Sequence, residues 1–125
     1  MSEAPVHPVK LAGVHHAAYR CKDAKETVEW YGKVLGMDYT TAFAEDHVPS
    51  TGDYDPYMHV FLDAGNGNIL AFFELPNQKD MGRDENTPAW VQHLAFTFSQ
   101  LRGQSVSTCV AELRLPHVRL RLIET

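Results

Sequence analysis

Apolar and polar residues alternate along GVHHAAYRC, residues 13–21, where His16 and Arg20 fall on one face and His15 and Tyr19 on the other. A period of two is the spacing of a half-buried β-strand, because successive side chains of a strand point to opposite faces. This segment therefore predicts a strand that presents His16 and Arg20 together.

The segment after this strand has helical spacing instead. Its apolar side chains recur every three or four residues, at Ala24, Val28, Tyr31 and Leu35. This period predicts an amphipathic α-helix over residues 24–35. Asp23 followed by Glu26 has the form of a capping box at its start, and Gly36 provides the left-handed residue that ends it.

Further strands are predicted by runs rich in β-branched and aromatic residues, over 37–45, 57–64, 69–75 and 91–98. The acidic stretch 46–56 separates the first two as a loop. GNGN at 65–68 predicts a tight hairpin, because Gly and Asn tolerate positive φ. The polar segment 76–90 leads to the last strand. The predicted order is βαβββ followed by a further strand.

The last of these strands repeats the first in sequence. VHHAAYR and VQHLAFT each place a histidine third, and 77 residues separate His16 from His93. Such a repeat indicates two similar modules, so we expect an α+β protein. We predict a flexible lead-in at residues 1–10 and a single domain at residues 11–125. The domain consists of a first module at residues 11–75 and an incomplete second module at residues 91–125.

The composition of the 125 residues is that of a folded globular protein, with 44% hydrophobic and 22% charged residues. A formal net charge of -5 argues against nucleic-acid or anionic-membrane partners, since both require a positive surface. No apolar stretch approaches the ~20 residues that cross a bilayer, and the start lacks a secretory signal. Cys21 and Cys109 form no CxxC pair, so we expect free thiols in the cytoplasm. A small molecule remains the expected partner.

The composition changes after the last predicted strand. Residues 99–125 contain no aromatic residue and no lysine, and their four arginines and two acidic residues give +2, against -7 for the rest. Only 32 residues follow His93, whereas 58 separate His16 from Glu74. A shifted reading frame or a truncation within the second module would explain this tail, and a natural but divergent ending is the alternative.

Seven histidines stand out in this chain, because imidazole is the commonest side-chain ligand for transition metals. Three residues with metal-binding side chains lie on predicted strands, which hold ligands rigidly: His16, Glu74 and His93. A strand histidine can equally be a hydrogen-bonded structural residue, and a glutamate at a strand end can be merely solvated. His47 and His59 could approach the same site, but a surface position is the simpler interpretation for both.

Three segments carry a resemblance to a known family: VHHAAYRCKDAKETVEWYGKVLGMDY, NILAFFELP and VQHLAFTF. In this order they resemble the vicinal oxygen chelate superfamily, which includes glyoxalase I, methylmalonyl-CoA epimerase, extradiol dioxygenases and the fosfomycin- and bleomycin-resistance proteins. The resemblance covers residues 11–98. It implies paired βαβββ modules, glyoxalase-like in fold, whose sheets curl around a metal ion in a cleft.

The resemblance implies His16, Glu74 and His93 as ligands of a divalent metal ion, either Zn, Ni, Co, Mn or Fe(II). The family's fourth ligand is a glutamate on the last strand of the second module. At that place this chain has Arg121, and Glu124 follows three residues later. An odd separation reverses the face of a strand, so we expect Glu124 not to replace the missing ligand directly.

The function implied is that of a metal-dependent lyase or isomerase of the glyoxalase kind, acting on a small molecule with adjacent oxygens. Glu74 would be the catalytic residue that moves a proton between neighbouring carbons. Arg20, Tyr57 and Phe72 are candidate substrate-binding residues, although aromatic side chains at strand spacing commonly fill a core. Because the fourth ligand is missing, we expect weak metal binding and little isomerase turnover.

Two alternatives remain open. An extradiol-type ring-cleavage dioxygenase would hold Fe(II) with two histidines and one carboxylate; His16 and His93 suit it, although its carboxylate comes from the last strand. A non-catalytic binding module, similar to the bleomycin-resistance proteins, would hold its ligand without a metal. An exposed sheet edge left by the short second module predicts a homodimer in each case.

Overall fold

The computed structural model describes residues 8–82, 84–88, 90–98, 110–115 and 118–124, the last two ranges as backbone. Most of the predicted lead-in, Cys109 and residues 99–109 of the tail lie outside the described residues. The chain divides into two compact units, residues 1–79 and 80–125.

The described part of the first unit contains one α-helix, α1 (Ala24–Leu35), which has the predicted bounds. The Asp23 side chain accepts a hydrogen bond from the backbone N–H of Glu26 at 2.9 Å. Gly36 ends the helix with a φ of 67°, and its N–H donates to the carbonyl of Gly32 at 3.1 Å. Both end signals are therefore confirmed. No helix in the described part of the chain has the length and apolar character needed to span a membrane.

Four strands form the sheet of this unit: β1 (His16–Cys21), β2 (Asp38–His47), β3 (Tyr54–Asp63) and β4 (Ile69–Glu74). Their order across the sheet is β1-β4-β3-β2. β1 runs parallel to β4, and β2, β3 and β4 follow one another as an antiparallel meander. α1 is thus the crossover from one edge strand of the sheet to the other. The βαβββ prediction is confirmed, and the protein is α+β.

The turn between β3 and β4 is the tight hairpin that GNGN predicts. Gly65, Asn66 and Gly67 have φ values of 111°, 55° and 75°, a region that glycine and asparagine enter most readily. The N–H of Ala64 donates to the carbonyl of Asn68 at 2.8 Å and closes the turn.

The two faces of the sheet differ. One packs against α1 and holds most of the strand part of the core, residues that are each at most 7% exposed: Cys21, Val60, Leu62, Leu70 and Phe72; Ala71 is buried on the other face. Burying one large apolar side chain of this kind stabilises the fold by about 1.5–3 kcal/mol. Register and strand alternation assign the other face, which we name the distal face, to His16, Ala18, Arg20, Phe43, His59, Phe61, Ala71 and Phe73.

Two titratable groups are buried on the helix side. Burial raises the pKa of the Cys21 thiol, the Glu74 and Asp23 carboxylates raise it further, and a hydrogen bond with Thr27 opposes the change. Burial also raises the pKa of Tyr31, whose ring lies against Phe72 with centroids 5.0 Å apart. Both groups are therefore neutral in the folded protein at neutral pH.

The second unit has a sheet of three strands, β5 (His93–Phe98), β6 (Val110–Leu115) and β7 (Val118–Glu124), in the order β5-β7-β6. β5 runs parallel to β7, and β6 runs antiparallel to it. β1, β4 and β3 have the same arrangement in the first unit. The described residues of the second unit thus provide three of the four strands of another such module, as the prediction of an incomplete second module requires.

Candidate functional site

His16 and Glu74, the predicted ligands of the first unit, lie far apart in the sheet. His16 opens β1 and pairs with Ile69, whereas Glu74 closes β4 and pairs with Cys21. Five register positions separate them, about 16 Å along the strands. Five is an odd number, so the two side chains also belong to opposite faces: His16 to the distal face and Glu74 to the face that packs on α1. The expectation that both bind one ion does not agree with this geometry.

Glu74 contacts the start of α1 instead. Its Oε1 accepts a hydrogen bond from the backbone N–H of Ala24 at 2.9 Å, in a part-buried position. The first N–H groups of a helix have no partner within the helix, and the helix dipole favours a negative charge there. The Glu74 carboxylate therefore joins the end of β4 to the beginning of α1.

His16 lies among rings on the distal face. It is exposed, and its ring centroid is 5.4 Å from that of Phe61 and 6.1 Å from that of His59. The neighbouring His15, which sequence alternation places on the other face, is also exposed, and its Nδ1 lies 2.8 Å from the Nδ1 of His16. A hydrogen bond at Nδ1 leaves the Nε2 of His16 available to another partner.

His59 is the second imidazole of this face. Its ring stacks on that of Phe73, with centroids 3.6 Å apart and an interplanar angle of 15°, and its centroid lies 4.3 Å from that of Phe61. Its Nε2 is buried and has no hydrogen-bond partner among the described residues. An unsatisfied buried polar group costs about 1–3 kcal/mol. Burial lowers the pKa of His59, and the charge of His16 lowers it further, so the ring is neutral at neutral pH.

The sequence contained a signal for His59 that the surface interpretation missed. Along β3, Val60 and Leu62 are the core positions, so the residues between and before them belong to the other face. His59 and Phe61 therefore share a face with each other. What the sequence does not give is the long-range register that brings His16 of β1 onto that same face.

The other predicted substrate-binding residues divide between the two faces. Arg20 is half-buried on the distal face, and its Nη2 donates to the carbonyl of Lys79 at 2.6 Å. Tyr57 is also half-buried, with its ring 5.5 Å from that of Phe73. Phe72 is 3% exposed and packs on the helix side, so it is a core residue and does not reach the distal face.

His93 opens β5 in the second unit and is exposed. Its Nδ1 lies 3.0 Å from the carbonyl oxygen of Val91, an acceptor to which a protonated Nδ1 donates. A ring hydrogen bond to a carbonyl is the usual support for a metal-binding histidine. In the neutral ring this hydrogen bond leaves Nε2 as the unprotonated nitrogen that a ligand needs.

The register of β5 and β7 reproduces that of β1 and β4. His93 pairs with Arg119 and Phe98 pairs with Glu124, just as His16 pairs with Ile69 and Cys21 with Glu74. Glu124 therefore occupies, in the second unit, the register position of Glu74 in the first. Arg121, the position at which the resemblance expects a glutamate, pairs with Ala95.

A metal ion of the kind the resemblance implies has only a partial set of ligands here. Among the described residues, no three His, Cys, Asp or Glu side chains form a group that could hold an ion. The imidazoles of His16 and His59 are the pair that meets on one face. The buried, unpartnered Nε2 of His59 fits a role as a metal ligand, because such an atom needs a partner that the described protein groups do not supply.

A cavity of about 390 Å³ lies at the end of the sheet near Pro76. Its lining includes Glu45, Asp46, Tyr57 and Glu74 and no histidine. The cavity and the imidazole pair are thus separate features of the first unit.

The chain was compared with protein families, curated proteins and solved structures. The model of the Glyoxalase/Bleomycin resistance protein/Dioxygenase superfamily matches residues 13–104, and no curated protein matches. Among solved structures, methylmalonyl-CoA epimerase from Mycobacterium tuberculosis is 16% identical with a TM-score of 0.45, over 95% of this chain and 91% of that one. The family match covers most of the chain and includes both β1 and β4 with their histidine and glutamate. The chain belongs to the Glyoxalase/Bleomycin resistance protein/Dioxygenase superfamily.

Proposed function

We propose that this protein is a metal-dependent lyase or isomerase that acts on a small molecule with two adjacent oxygens. The observation that carries the proposal is the meeting of two imidazoles, His16 and His59, on an aromatic sheet face of a superfamily module. Superfamily membership alone is equally compatible with a binding protein. The buried Nε2 of His59, which has no hydrogen-bond partner among the described residues, favours a metal site over a purely apolar groove.

The distal face has groups for three tasks of such a reaction: holding the ion, excluding water and orienting the substrate. His16 would hold the ion, with Zn, Ni, Co, Mn and Fe(II) as candidates, and a bound ion would polarise the two substrate oxygens. The rings of Phe43, Phe61 and Phe73 would exclude water from one side of the substrate. Arg20 adds a positive charge on the same face, where it would orient an oxygen-rich substrate.

The proposal changes the role of Glu74 and leaves the role of His93 as a prediction. Glu74 receives no proton-transfer step, because its carboxylate is bound to the N-terminus of α1 and belongs to the other face. The resemblance assigns His93 to the metal. That assignment stays a prediction, which the metal content of a His93→Gln variant tests, with His117→Gln as the control.

An extradiol-type dioxygenase is the second candidate, and the aromatic character of the distal face favours it. The ring centroid of Phe61 lies 5.8 Å from that of Phe43 and 5.4 Å from that of His16, and both contacts are edge to face. A planar aromatic substrate would therefore find complementary ring contacts beside the histidine. Such an enzyme would require Fe(II) and dioxygen together with a catechol.

Turnover assays on the full chain separate these functions. Purified protein loaded in turn with Zn, Ni, Co, Mn and Fe(II) is incubated with a hemithioacetal, an epimerisable thioester and a catechol. Metal-dependent conversion of either of the first two supports the proposal, and oxygen consumption with the catechol supports the dioxygenase. Ligand binding without metal dependence or turnover would contradict both and identify a binding module.

The proposal includes a homodimer in the cytoplasm. β1 and β2 are the edges of the first sheet, and β2 is exposed along nearly all of its ten residues. An exposed edge favours pairing with another chain. The free thiol of Cys21 is consistent with a reducing compartment. Sedimentation equilibrium at micromolar concentration tests the assembly, and a monomeric mass would contradict it.

A further inference from the structure

We propose that His59, and not Glu74, is the partner of His16 in metal binding within the first unit, while Glu74 is a positioning residue for α1. The inference rests on the proposed metal-dependent function and identifies which side chains of this unit hold the ion. It assigns a metal-binding role to a β3 residue that sequence reasoning had placed on the surface.

The first argument is one of position. His16 and His59 belong to the same face of the sheet, whereas Glu74 belongs to the other face and is five register positions from His16. No rotation of side chains can carry a carboxylate through a sheet whose strands are hydrogen-bonded to each other. The two imidazoles need only a rotation about their own side-chain bonds.

The second argument is one of distance. A ring nitrogen lies about 1.1 Å from its ring centroid and a metal–nitrogen bond is about 2.1 Å, so two imidazoles that share an ion have centroids at most about 6.4 Å apart. The centroids of His16 and His59 are 6.1 Å apart, within this limit. His16 is exposed, and a small rotation about its side-chain bonds would bring the two centroids to the closer spacing of a tetrahedral site.

The third argument is one of free donors. His59 Nε2 is buried without a hydrogen-bond partner among the described residues. Its ring is held in place by stacking on Phe73, which fixes the direction of that nitrogen. His16 Nδ1 lies 2.8 Å from His15 Nδ1, and when His16 donates this hydrogen bond its Nε2 is the unprotonated nitrogen that a metal requires. Nε2 is therefore the candidate ligand atom of each ring.

The fourth argument concerns Glu74 itself. Its Oε1 already accepts the N–H of Ala24, a donor that would lose its partner if the carboxylate turned away. Imidazole ligands prefer ions of intermediate softness, so Co, Ni, Zn and Cu are favoured over Mg or Ca. The pair forms half of a tetrahedral site and leaves two positions for water or substrate oxygens.

Cobalt(II) binding tests this assignment. Wild type, His59→Phe, Glu74→Gln and His47→Gln are titrated with Co(II) by calorimetry and by visible absorption, and their melting temperatures are measured without metal. His59→Phe keeps a ring for stacking on Phe73 and removes both nitrogens. His47, an exposed histidine of β2 whose ring contacts Tyr54, is the matched control.

The expected result is that His59→Phe weakens Co(II) binding by more than about tenfold and alters the absorption spectrum, while its metal-free melting temperature does not fall. Glu74→Gln should bind Co(II) within about twofold of wild type and melt at a lower temperature, since only the helix contact is affected. His47→Gln should resemble wild type in both measurements.

Other results would overturn the inference. Weakened binding in Glu74→Gln, whether or not His59→Phe is also weakened, would put the carboxylate among the ligands; unchanged binding in His59→Phe would remove the imidazole from them. A wild type that binds no Co(II) would refute both this inference and the proposed function. A wild type that binds through both histidines yet turns over no substrate would refute the proposed function alone.

Discussion

Glu74 shows how far a single side chain can depart from the role its residue type suggests. A glutamate near the end of a strand resembles the family's metal ligand, and its carboxylate is nevertheless hydrogen-bonded to the backbone N–H of Ala24. We predict that Glu74→Ala destabilises the fold by about 1–2 kcal/mol, because it removes both the cap-like hydrogen bond and the charge at the helix N-terminus.

Urea unfolding followed by circular dichroism measures this loss. Glu74→Gln keeps an acceptor oxygen and removes the charge, so it should cost about 0.3–1 kcal/mol, less than the alanine variant. Glu45→Ala, at an exposed position of β2, is the control and should leave the unfolding free energy nearly unchanged. Equal unfolding curves for wild type and Glu74→Ala would show that the contact with α1 contributes nothing.

Tyr31 offers a second test at the residue scale. Its Oη is buried without a hydrogen-bond partner among the described residues, and burial raises the pKa of Tyr31 above its ordinary value. In the unfolded chain the phenol ionises near its ordinary pKa of about 10, while in the folded chain it stays protonated. The unfolded state then binds fewer protons, so stability falls as the pH rises through that value.

We therefore predict that Tyr31→Phe is as stable as wild type or more stable at pH 7, and that its loss of stability between about pH 9 and 11 is smaller. Cys21 contributes to the alkaline loss in both proteins, because burial raises the pKa of its thiol too. Tyr39→Phe, at a position 56% exposed, is the control. Parallel pH profiles for wild type and Tyr31→Phe would contradict this account.

The sequence alone predicts the sheet face of His59 but not whether Glu74 shares a face with His16. Alternation along β3 is enough to separate His59 from Val60 and Leu62. The face of His16 relative to Glu74, in contrast, depends on the parallel pairing of β1 with β4. Two strands that are distant in sequence have no local feature that determines their register, so the sequence names candidate ligands without showing which of them share a face.

At the scale of elements, local sequence signals correctly predict the features that depend only on neighbouring residues. α1 begins and ends where Asp23 and Gly36 predict, because capping and left-handed stops act within one turn. The loop predicted at 46–56 is shorter in the structure, since β2 continues to His47 and β3 begins at Tyr54. Cross-strand pairing of those two residues extends the hairpin past Pro56, and no local pattern encodes it.

Gly36 and Gly32 form a natural pair for testing the end of α1. Gly36 has a φ of 67°, where an added Cβ is strained, so Gly36→Ala should destabilise the protein by about 1–2 kcal/mol. Gly32 is inside the helix, and a Cβ there would meet only the Met37 carbonyl oxygen at 3.5 Å, an ordinary contact. Gly32→Ala should therefore be neutral or stabilise by up to about 1 kcal/mol. Thermal unfolding of both variants gives the comparison, and a loss of stability in Gly32→Ala equal to that in Gly36→Ala would contradict it.

At the scale of the whole molecule, the internal repeat predicted from VHHAAYR and VQHLAFT is visible as topology. β5, β7 and β6 reproduce the order and directions of β1, β4 and β3. The register agrees as well, so that Glu124 stands where Glu74 stands in the first unit. The sequence motif instead indicates Arg121 as the equivalent position, because a motif match depends on sequence spacing and contains no information about strand pairing.

The central claim is that this superfamily member binds a divalent metal ion through imidazoles of the distal face. Metal content, measured by mass spectrometry on protein purified without chelators, tests it most directly. The account predicts a measurable transition-metal content in wild type and in the control His47→Gln, and a clear loss in His16→Gln and in His59→Phe. No transition metal in wild type, or undiminished metal in His16→Gln, would contradict it.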